Sequence, residues 1–195
     1  MPDAVKKKVV LGVCGSIAAY KAVELLRALQ KAGLDVWPVL TASACDYISP
    51  LTFRSLSGHP VPHGPFAGMD PDSYVHLGLA ENAGAFVVAP CTANTLSRLA
   101  HGMCDEALSA AAVSAPEAKL VLAPAMNARM WRHPATKENV ETLRRRGAVF
   151  VGPGTGELGC GETGPGRLAD VGEIARAVLE AVGVLPGKEQ GNGLA

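Results

Sequence analysis

The sequence predicts an α/β fold: a single Rossmann-like (flavodoxin-like), doubly wound parallel sheet with helices on both faces. Short apolar segments such as Val9-Val10-Leu11-Gly12-Val13 recur along the chain. They are typical of parallel strands buried on both faces. Segments of helical character separate them, as in βαβ units. With 195 residues, 48% of them hydrophobic and 18% charged, the chain can form one full core, which favours one domain.

The predicted elements follow one another in a regular order. Strands are expected at 9–13, 35–40, 85–89, 119–123 and 148–151. Helices are expected at 18–32, 44–48 and 50–56, then up to about residue 101, and at 105–114, 135–146 and 170–182. Pro38 places the second strand near a sheet edge, and Pro90 and Pro124 are expected to end their strands, because proline cannot donate to a ladder. Residues 1–182 therefore form one domain, and 183–195 is expected to be an unstructured tail or linker.

A glycine-rich segment at 152–167 interrupts this pattern. Seven of its residues are glycine, at positions 152, 154, 156, 159, 161, 164 and 166. That composition predicts neither a helix nor a well-packed strand. We interpret the segment as a flexible flap over a site. A long linker is the alternative, but a linker has no use for a thiol such as Cys160 among glycines, where the backbone can come close to a ligand.

Composition disfavours several classes of function. Eighteen basic and eighteen acidic residues give no net charge, which argues against a nucleic-acid surface. No apolar run reaches the length of a membrane span, and the first residues lack the apolar core of a signal peptide, so a cytoplasmic protein is expected. The five cysteines are odd in number and lack C-x-x-C spacing. They predict free thiols, with no disulfide framework and no metal site.

The turn after the first strand, Gly15-Ser16-Ile17, predicts a phosphate site. It lacks the G-x-G-x-x-G fingerprint of dinucleotide-binding folds, yet a helix N-terminus with a hydroxyl suits one phosphate monoester. The second strand ends in Thr41-Ala42-Ser43, where an NAD-binding fold would place an acidic residue. Two hydroxyls are therefore available for a mononucleotide. Ser16 acting only as a helix cap is the alternative.

Two later strands end in similar polar turns. Pro90-Cys91-Thr92-Ala93-Asn94-Thr95 and Pro124-Ala125-Met126-Asn127 each follow an apolar strand, so both should lie at the ligand-binding edge of the sheet. The amide of Asn127 can hold a carboxylate or a flavin edge without adding charge. In the alternative interpretation Asn127 caps a helix, and Met126, Met130 and Trp131 pack in the core.

His76, just upstream of the third strand, is a candidate general base. Imidazole titrates near neutral pH, and the predicted position of His76 is at the edge of the site. A lone histidine is more often structural. His59 and His63 lie in a proline-rich loop and are interpreted as surface residues.

In this order the motifs resemble those of the homo-oligomeric flavin-containing cysteine decarboxylases. The likeness extends from Val9 to Val182. It rests on Gly15-Ser16-Ile17-Ala18-Ala19-Tyr20-Lys21, His76, the two turns that begin at Pro90 and Pro124, Met130-Trp131, and the segment from Cys160 to Arg167. Within the family, the chain most resembles the branch that acts on 4'-phosphopantothenoylcysteine in coenzyme A biosynthesis. Cys91, Gly159 and Glu162 are small departures from the family's usual residues.

The resemblance implies FMN as the cofactor and assigns roles to individual residues. Its phosphate would lie near Ser16 and Ser43, and the implied FMN-binding residues are Gly15, Ser16, Ile17, Thr41, Ser43, Thr92, Ala93, Asn94, Thr95 and Ala125. The implied catalytic residues are His76 as base, Asn127 as carboxylate-binding group and Cys160 as proton donor. The substrate would contact Asn127, Met130, Gly159 and Cys160. The resemblance also implies trimers, often assembled into dodecamers, with FMN at a subunit contact.

The implied reaction oxidises the substrate thiol to a thioaldehyde, releases carbon dioxide and reduces the enethiol to 4'-phosphopantetheine. The C=S group beside the carboxylate provides the electron sink that cysteine lacks. The alternatives are a peptidyl-cysteine decarboxylase or other flavoprotein of the family, a non-catalytic flavin-binding regulatory protein, and an electron carrier. In bacteria such a domain is often the amino-terminal half of a bifunctional protein whose second half is a ligase, and 183–195 resembles the joining linker.

Overall fold

Five strands form a parallel sheet in this computed structural model, which describes residues 6–64, 74–157, 159 and 161–184. They are β1 (Lys8–Val13), β2 (Asp35–Leu40), β3 (Ala83–Cys91), β4 (Lys119–Pro124) and β5 (Val149–Phe150). Their order is β2-β1-β3-β4-β5, with every neighbouring pair parallel. This is the flavodoxin-like order, whose switch point lies between β1 and β3. The predicted fold class is confirmed.

Helices pack on both faces of this sheet. They are α1 (Lys21–Lys31), α2 (Pro50–Ser57), α3 (Val75–Ala80), α4 (Ala93–His101), α5 (Ala107–Val113), α6 (Ala128–Arg132), α7 (Pro134–Arg145) and α8 (Val171–Ala181). One apolar core lies between the sheet and helices α1 and α8. The other lies between the opposite face and helices α4, α5 and α7. None of the helices in the described part of the chain is long and apolar enough to cross a membrane.

The side chains of β1 show why its sequence is apolar after Lys8. Val9, Leu11 and Val13 belong to the core under α1 and α8, whereas Val10 and Cys14 belong to the opposite core. Because successive side chains of a strand point to opposite faces, a strand covered on both sides has no solvent-facing positions.

Several predicted helices differ in detail from the structure. The helix expected from Ala18 begins as a 3-10 turn over Ile17–Tyr20 before α1 starts. In place of the helix expected at 44–48 there is a 3-10 turn over Ala42–Asp46. Helix α3 was not predicted. It has only six residues, and Tyr74 at its N-cap makes no side-chain capping bond, so the usual start signal is absent.

One of the three proline predictions is wrong. Strand β3 continues through Pro90 to Cys91, whereas β4 ends at Pro124, as predicted. Pro90 lacks an N–H, but its carbonyl accepts a hydrogen bond of 3.2 Å from the N–H of Cys14, and the pairing with β4 shifts register there. Pro38 does lie on an edge strand, as predicted.

The glycine-rich segment forms strands, contrary to the prediction. Strands β6 (Gly154–Glu157) and β7 (Thr163–Arg167) pair as an antiparallel hairpin. Ladder hydrogen bonds need only backbone groups, and glycine lets another backbone approach closely. Residues 158 and 160 lie outside the described residues, as does the predicted tail from residue 185 onwards.

One predicted surface residue is more enclosed than expected. The ring of His59 stacks on that of Trp37 with centroids 3.8 Å apart, and its Nε2 lies 2.7 Å from Oδ1 of Asp35. The proline-rich loop after α2 is thus attached to the amino end of β2. His63 is exposed, as predicted.

Candidate active site

The turns that follow β1 and β2 are in direct contact. A Cβ added to Gly15 would lie 2.5 Å from Oγ of Ser43 and 2.8 Å from its backbone carbonyl carbon, so only glycine fits. The hydroxyl oxygens of Thr41 and Ser43 lie 3.1 Å apart, and the N–H of Ala44 donates to Thr41. The two hydroxyl-bearing turns therefore form one surface at the carboxyl edge of the sheet.

Ser16 begins the 3-10 turn that leads into α1. Its Oγ accepts a hydrogen bond of 3.3 Å from the N–H of Ala18, so Ser16 caps this turn. The next side chains project outward, since Ile17 is 68% and Tyr20 58% exposed. These apolar groups lie beside the capped turn, where a ligand or a second subunit can cover them.

The turn after β3 places its two threonines differently. The Oγ1 of Thr92 accepts from the N–H of Thr95 and caps α4. Thr95 is fully buried, and its hydroxyl oxygen lies 3.1 Å from Sγ of Cys14. Asn94 is exposed on the first turn of α4. Thr95 thus packs in the core under this turn, whereas Asn94 faces solvent.

Asn127 caps α6, as the alternative interpretation expects. Its Oδ1 accepts a hydrogen bond of 2.8 Å from the N–H of Arg129. The turn before it is fixed to the neighbouring strand, because the N–H of Ala125 donates to the carbonyl of Cys91. Trp131 is buried as expected, but Met130 is 49% exposed and belongs to the surface of α6.

The β6–β7 hairpin is attached to the Asn127 turn at closely packed contacts. The N–H of Met126 donates to the carbonyl of Gly166 at 3.0 Å. Gly166 has a φ of +143°, and an added Cβ there would lie 2.0 Å from the carbonyl oxygen of Met126. An exposed ion pair of 2.8 Å between Arg129 and Glu162 adds a second contact. The hairpin therefore packs against the Asn127 turn and forms a wall of the site at these contacts.

One cleft lies between these parts. It has a cavity volume of about 720 Å³ and is lined by Ser16, Ile17, Ala18, Tyr20, Lys21, Tyr47, Ala125, Met126, Asn127, Glu157, Gly159, Gly166, Arg167 and Leu168. Gly159 lies across from the first turn, because a Cβ added there would be 3.3 Å from the side chain of Ile17. The phosphate turn, the Asn127 turn and the hairpin thus share a single opening.

Similarity to a known family establishes the family of this chain. The model of the flavoprotein family matches residues 2–183. The chain belongs to the flavoprotein family.

This flavoprotein is similar to named relatives of two kinds, one much longer than this chain and one of about the same length. It is 43% identical over 184 residues to the coenzyme A biosynthesis bifunctional protein CoaBC of Mycolicibacterium smegmatis, covering 93% of this chain and 44% of the relative. It is 40% identical over 175 residues to a probable phosphopantothenoylcysteine decarboxylase of Streptococcus mutans, covering 89% of this chain and 98% of that protein. The chain thus spans less than half of the bifunctional relative.

Solved structures of similar fold cover most of the flavoprotein. A PPC decarboxylase mutant complexed with pantothenoylaminoethenethiol has a TM-score of 0.76 and 29% identity, over 89% of this chain and 96% of the other. The FMN-dependent cysteine decarboxylase SpaF has a TM-score of 0.74 and 33% identity, over the same shares of the two chains.

The flavoprotein's cleft does not include every predicted site residue. Ser16, Ile17, Ala125, Asn127 and Gly159 line it. Thr41 and Ser43 adjoin it through Gly15, whereas Thr92, Ala93, Asn94, Thr95 and Met130 are not among its lining residues. Cys160 lies outside the described residues.

His76 is the predicted residue whose placement differs most. It is half-buried on α3, a helix that packs against α5 and contributes to the core on the α4 face. The cleft is lined by Ala18 and Leu168, which belong to the core on the α1 face, and by Met126, which packs against the core on the α4 face, but not by His76. Within one chain, His76 is therefore not part of the cleft.

Sequence reasoning assigned no role to several residues of the cleft wall. Tyr20, Lys21, Tyr47, Glu157 and Arg167 all line it. Lys21 and Arg167 carry positive charge, and both stand inside motifs that the sequence already singled out. Their positive charge within those motifs could have indicated that they line the site. No motif or charge singled out Tyr47, because its position at the cleft depends on how the turn after β2 folds.

Proposed function

We propose that this chain is an FMN-dependent decarboxylase that converts 4'-phosphopantothenoylcysteine to 4'-phosphopantetheine in coenzyme A biosynthesis. The observation that carries the proposal is the single cleft lined by Ser16, Asn127 and Gly159. These residues represent the candidate phosphate turn, carboxylate-binding amide and flap. Similarity over almost the whole length of the Streptococcus mutans relative, whose name gives this activity, supports it.

The residues present fit FMN. Gly15 leaves no space between the two turns for a side chain, so a phosphate could be approached by the backbone at Gly15 and by the hydroxyls of Ser16, Thr41 and Ser43. One such site suits a single phosphate, whereas FAD and NAD carry a pyrophosphate and generally use the fingerprint that this chain lacks. The cavity is also within the range of about 300–1,000 Å³ usual for ligand sites.

Asn127 is proposed to hold the substrate carboxylate. Since its Oδ1 accepts from Arg129, the N–H donors on Nδ2 are the groups that would meet the carboxylate. An uncharged amide suits this role, because a cation here would stabilise the carboxylate before reaction, whereas its negative charge must move to the C=S group as neutral carbon dioxide leaves. FMN, when bound, supplies the oxidation of the substrate thiol and the later reduction of the enethiol.

His76 and Cys160 are proposed to move protons. The imidazole of His76 would accept the proton of the substrate during oxidation, and the thiol of Cys160 would return one during reduction. Because His76 does not line the cleft of its own chain, we extend the proposal to a homo-oligomer. In a trimer, or a dodecamer built from trimers, His76 of one subunit would serve the cleft of its neighbour.

The substrate's phosphate would lie near the cations of the cleft wall. Lys21 and Arg167 both line the opening, and ammonium and guanidinium groups bind phosphate through charge-assisted hydrogen bonds. Such a charged ester stays in the compartment where it is made, so the proposal includes a cytoplasmic location. Cell fractionation followed by immunodetection tests the location.

Cofactor analysis and a carbon dioxide assay test the function directly. The purified protein should carry FMN, identified by mass after release, and should liberate carbon dioxide from 4'-phosphopantothenoylcysteine faster than from a peptide ending in cysteine. Preference for the peptide would assign the chain to peptidyl-cysteine decarboxylation. FAD in place of FMN, or no turnover of either substrate by the flavin-bound protein, would contradict the proposal.

Mixed oligomers test the shared site. His76→Asn and Asn127→Asp subunits should each be inactive, yet refolding them together should restore part of the activity, because some clefts then combine two intact residues. A mixture of inactive oligomers that are not allowed to exchange subunits is the control. Failure of exchanged subunits to recover any activity would place His76 in its own chain's site.

A further inference from the structure

Two adjacent lysines at the start of β1 bind the ends of two helices that pack on opposite faces of the sheet. Nζ of Lys7 donates a hydrogen bond to the carbonyl of Val182, directly after α8. Nζ of Lys8 donates to the carbonyls of Gly78 at 2.6 Å and Glu81 at 2.9 Å, at the carboxyl end of α3. Because successive side chains of an extended segment point to opposite faces, one lysine reaches each helix. The proposed reaction uses neither of them.

The carbonyls that Lys8 binds are those that a helix leaves without internal partners. The last four C=O groups of a helix have no N–H of the same helix to accept from, and Gly78 is among them in α3 (Val75–Ala80). Glu81 is the residue that caps this end. An ammonium group there satisfies the free carbonyls and also complements the negative end of the helix dipole. Lys8 therefore closes the carboxyl end of α3 from a neighbouring strand.

The side chain of Lys8 is itself held in place. Its Nζ lies 4.6 Å from the centroid of the Trp37 ring, a distance at which an ammonium group is attracted to the face of an indole. Trp37 in turn stacks on His59 and donates its Nε1–H to Asp35 at 2.7 Å. The ammonium group of Lys8 thus lies between a fixed aromatic ring and the end of α3.

Helix α3 depends on this contact because its other attachments are few. It has six residues, of which Leu79 is buried in the core, and Tyr74 at its N-cap makes no side-chain capping bond. Only Glu81 and Asn82 join it to β3, and Asn82 has a φ of +57°, a left-handed conformation that asparagine tolerates. The bonds from Lys8 are therefore a principal restraint on where the carboxyl end of α3 lies.

We propose that Lys8 is a positioning residue for His76. The inference rests on the proposed function, in which the imidazole of His76 accepts a proton of the substrate. His76 lies on the same short helix, two residues before Gly78, so a shift of the carboxyl end of α3 also moves the imidazole. Proton transfer requires the two heavy atoms to lie within about 2.6–3.2 Å. Lys8 does not line the cleft and acts only by holding α3.

Single-turnover kinetics of the FMN-bound protein test the effect on the reaction. After one anaerobic addition of 4'-phosphopantothenoylcysteine, the rate of flavin reduction should be about tenfold lower in Lys8→Met, with KM and the FMN dissociation constant unchanged. Lys8→Arg should recover most of the rate, because a guanidinium group can also donate to the two carbonyls and lie over Trp37. A parent-like rate in Lys8→Met, or no recovery in Lys8→Arg, would overturn the proposal.

Lys7→Met is the matched control. It removes the same charge one residue earlier and frees a carbonyl at the end of α8 in place of those at the end of α3. Any general loss of stability, measured by urea unfolding, should be similar in the two methionine variants, yet Lys7→Met should reduce its flavin at the parent rate. Equal slowing in both variants would assign the effect to lost charge or stability and overturn the role of Lys8 in placing His76.

Amide hydrogen exchange of the FMN-bound protein tests the restraint on α3 without using activity. A peptide covering 75–82 should exchange about fivefold faster in Lys8→Met, the effect of losing roughly one hydrogen bond, and at the parent rate in Lys7→Met. Unchanged exchange in Lys8→Met would overturn the proposal whatever the kinetics show. A parent protein whose bound FMN the substrate never reduces would contradict the proposed function instead, and the exchange rates would still decide whether Lys8 holds α3.

Discussion

The two walls of the cleft are built in different ways. On one side, the turns after β1 and β2 fit together through Gly15, Thr41 and Ser43, all within one parallel sheet. On the other side, the Asn127 turn is held by a hairpin from later in the chain, through one backbone hydrogen bond to Gly166 and an exposed ion pair. The first wall forms as part of the parallel sheet, whereas the second forms only when a separate segment, the hairpin, packs against the Asn127 turn.

This difference predicts that substitutions in the two walls will affect different properties of the protein. Changes in the first wall should affect cofactor affinity, because the turns meet where a phosphate would sit. Changes in the second wall should affect turnover first, because Asn127 and the hairpin belong to the substrate side. The following variants are arranged from the largest expected effect to the smallest.

Asn127→Asp should have the largest effect. A carboxylate placed against the substrate carboxylate repels it in a partly dry site, so turnover should fall at least about a thousandfold while FMN stays bound. Asn127→Ser is the matched control for the cap, since serine caps helices but lacks the amide donors. It should unfold at the same urea concentration as the parent and still lose turnover. Activity retained in Asn127→Asp would make Asn127 a helix cap and nothing more.

Gly15→Ala tests the first wall. The added Cβ would meet both Oγ and the backbone of Ser43, so the turns must separate, and we expect FMN affinity to fall about a hundredfold. Gly172→Ala, in a helix with open space around it, should leave the affinity unchanged. Fluorescence titration of the apoprotein measures both. Equal FMN affinities for the two variants would show that the contact between the turns does not shape the phosphate site.

Gly166→Ala tests the second wall. Alanine would meet the carbonyl oxygen of Met126 and would be strained at a φ of +143°, so the hairpin should detach from the Asn127 turn. Turnover should fall roughly tenfold through misplacement of the substrate side, with little change in FMN affinity. Gly154→Ala, whose nearest neighbour is 3.8 Å away, is the control on the same hairpin. A loss of FMN affinity matching that of Gly15→Ala would remove the distinction between the walls.

Asp35→Asn should have the smallest effect and depends on pH. Partial burial would raise the pKa of Asp35, but hydrogen bonds from His59 and Trp37 lower it. A pKa lowered by folding stabilises the protein above the unfolded-state pKa, and this contribution disappears as pH falls through the folded-state pKa. The variant should therefore lose about 0.5 kcal/mol of unfolding free energy at neutral pH and match the parent in strong acid.

Urea unfolding across a pH series measures this effect. His59→Ala should show the same sign of pH dependence, because it removes the main hydrogen-bond partner of Asp35. A stability difference between Asp35→Asn and the parent that does not change with pH would assign the loss to packing instead.

Much of the fold could be predicted because strands β1, β3 and β4 are buried on both faces and their sequences are correspondingly apolar. The hairpin could not, since Gly164 and Gly166 leave no alternation of side chains to read, and its ladder uses backbone groups alone. Helix α3 could not be predicted for a related reason. It has six residues and no side-chain cap, so its sequence lacks the usual signals of a helix start.

The candidate site shows the same division. Gly15, Ser16 and Asn127 follow strands directly, so the rule that ligands bind at carboxyl ends of parallel strands indicated their region correctly. Sequence order also suggested that His76 lies at the edge of the site, but the structure places it on α3 and not among the residues that line the cleft. That relation depends on which face α3 covers, and neighbouring residues do not encode it.

The composition of β2 limits how this protein can associate. Asp35 and Thr41 donate their N–H groups to the β1 side, so the alternate residues of β2 face the open edge. Of these, Pro38 has no N–H to offer, and the N–H of Leu40 donates to the carbonyl of Pro62. A foreign strand would find few donors there, which protects the sheet from edge-to-edge aggregation. Any association of molecules across the β2 edge would therefore use side-chain surfaces, not a sheet continued from one molecule into the next.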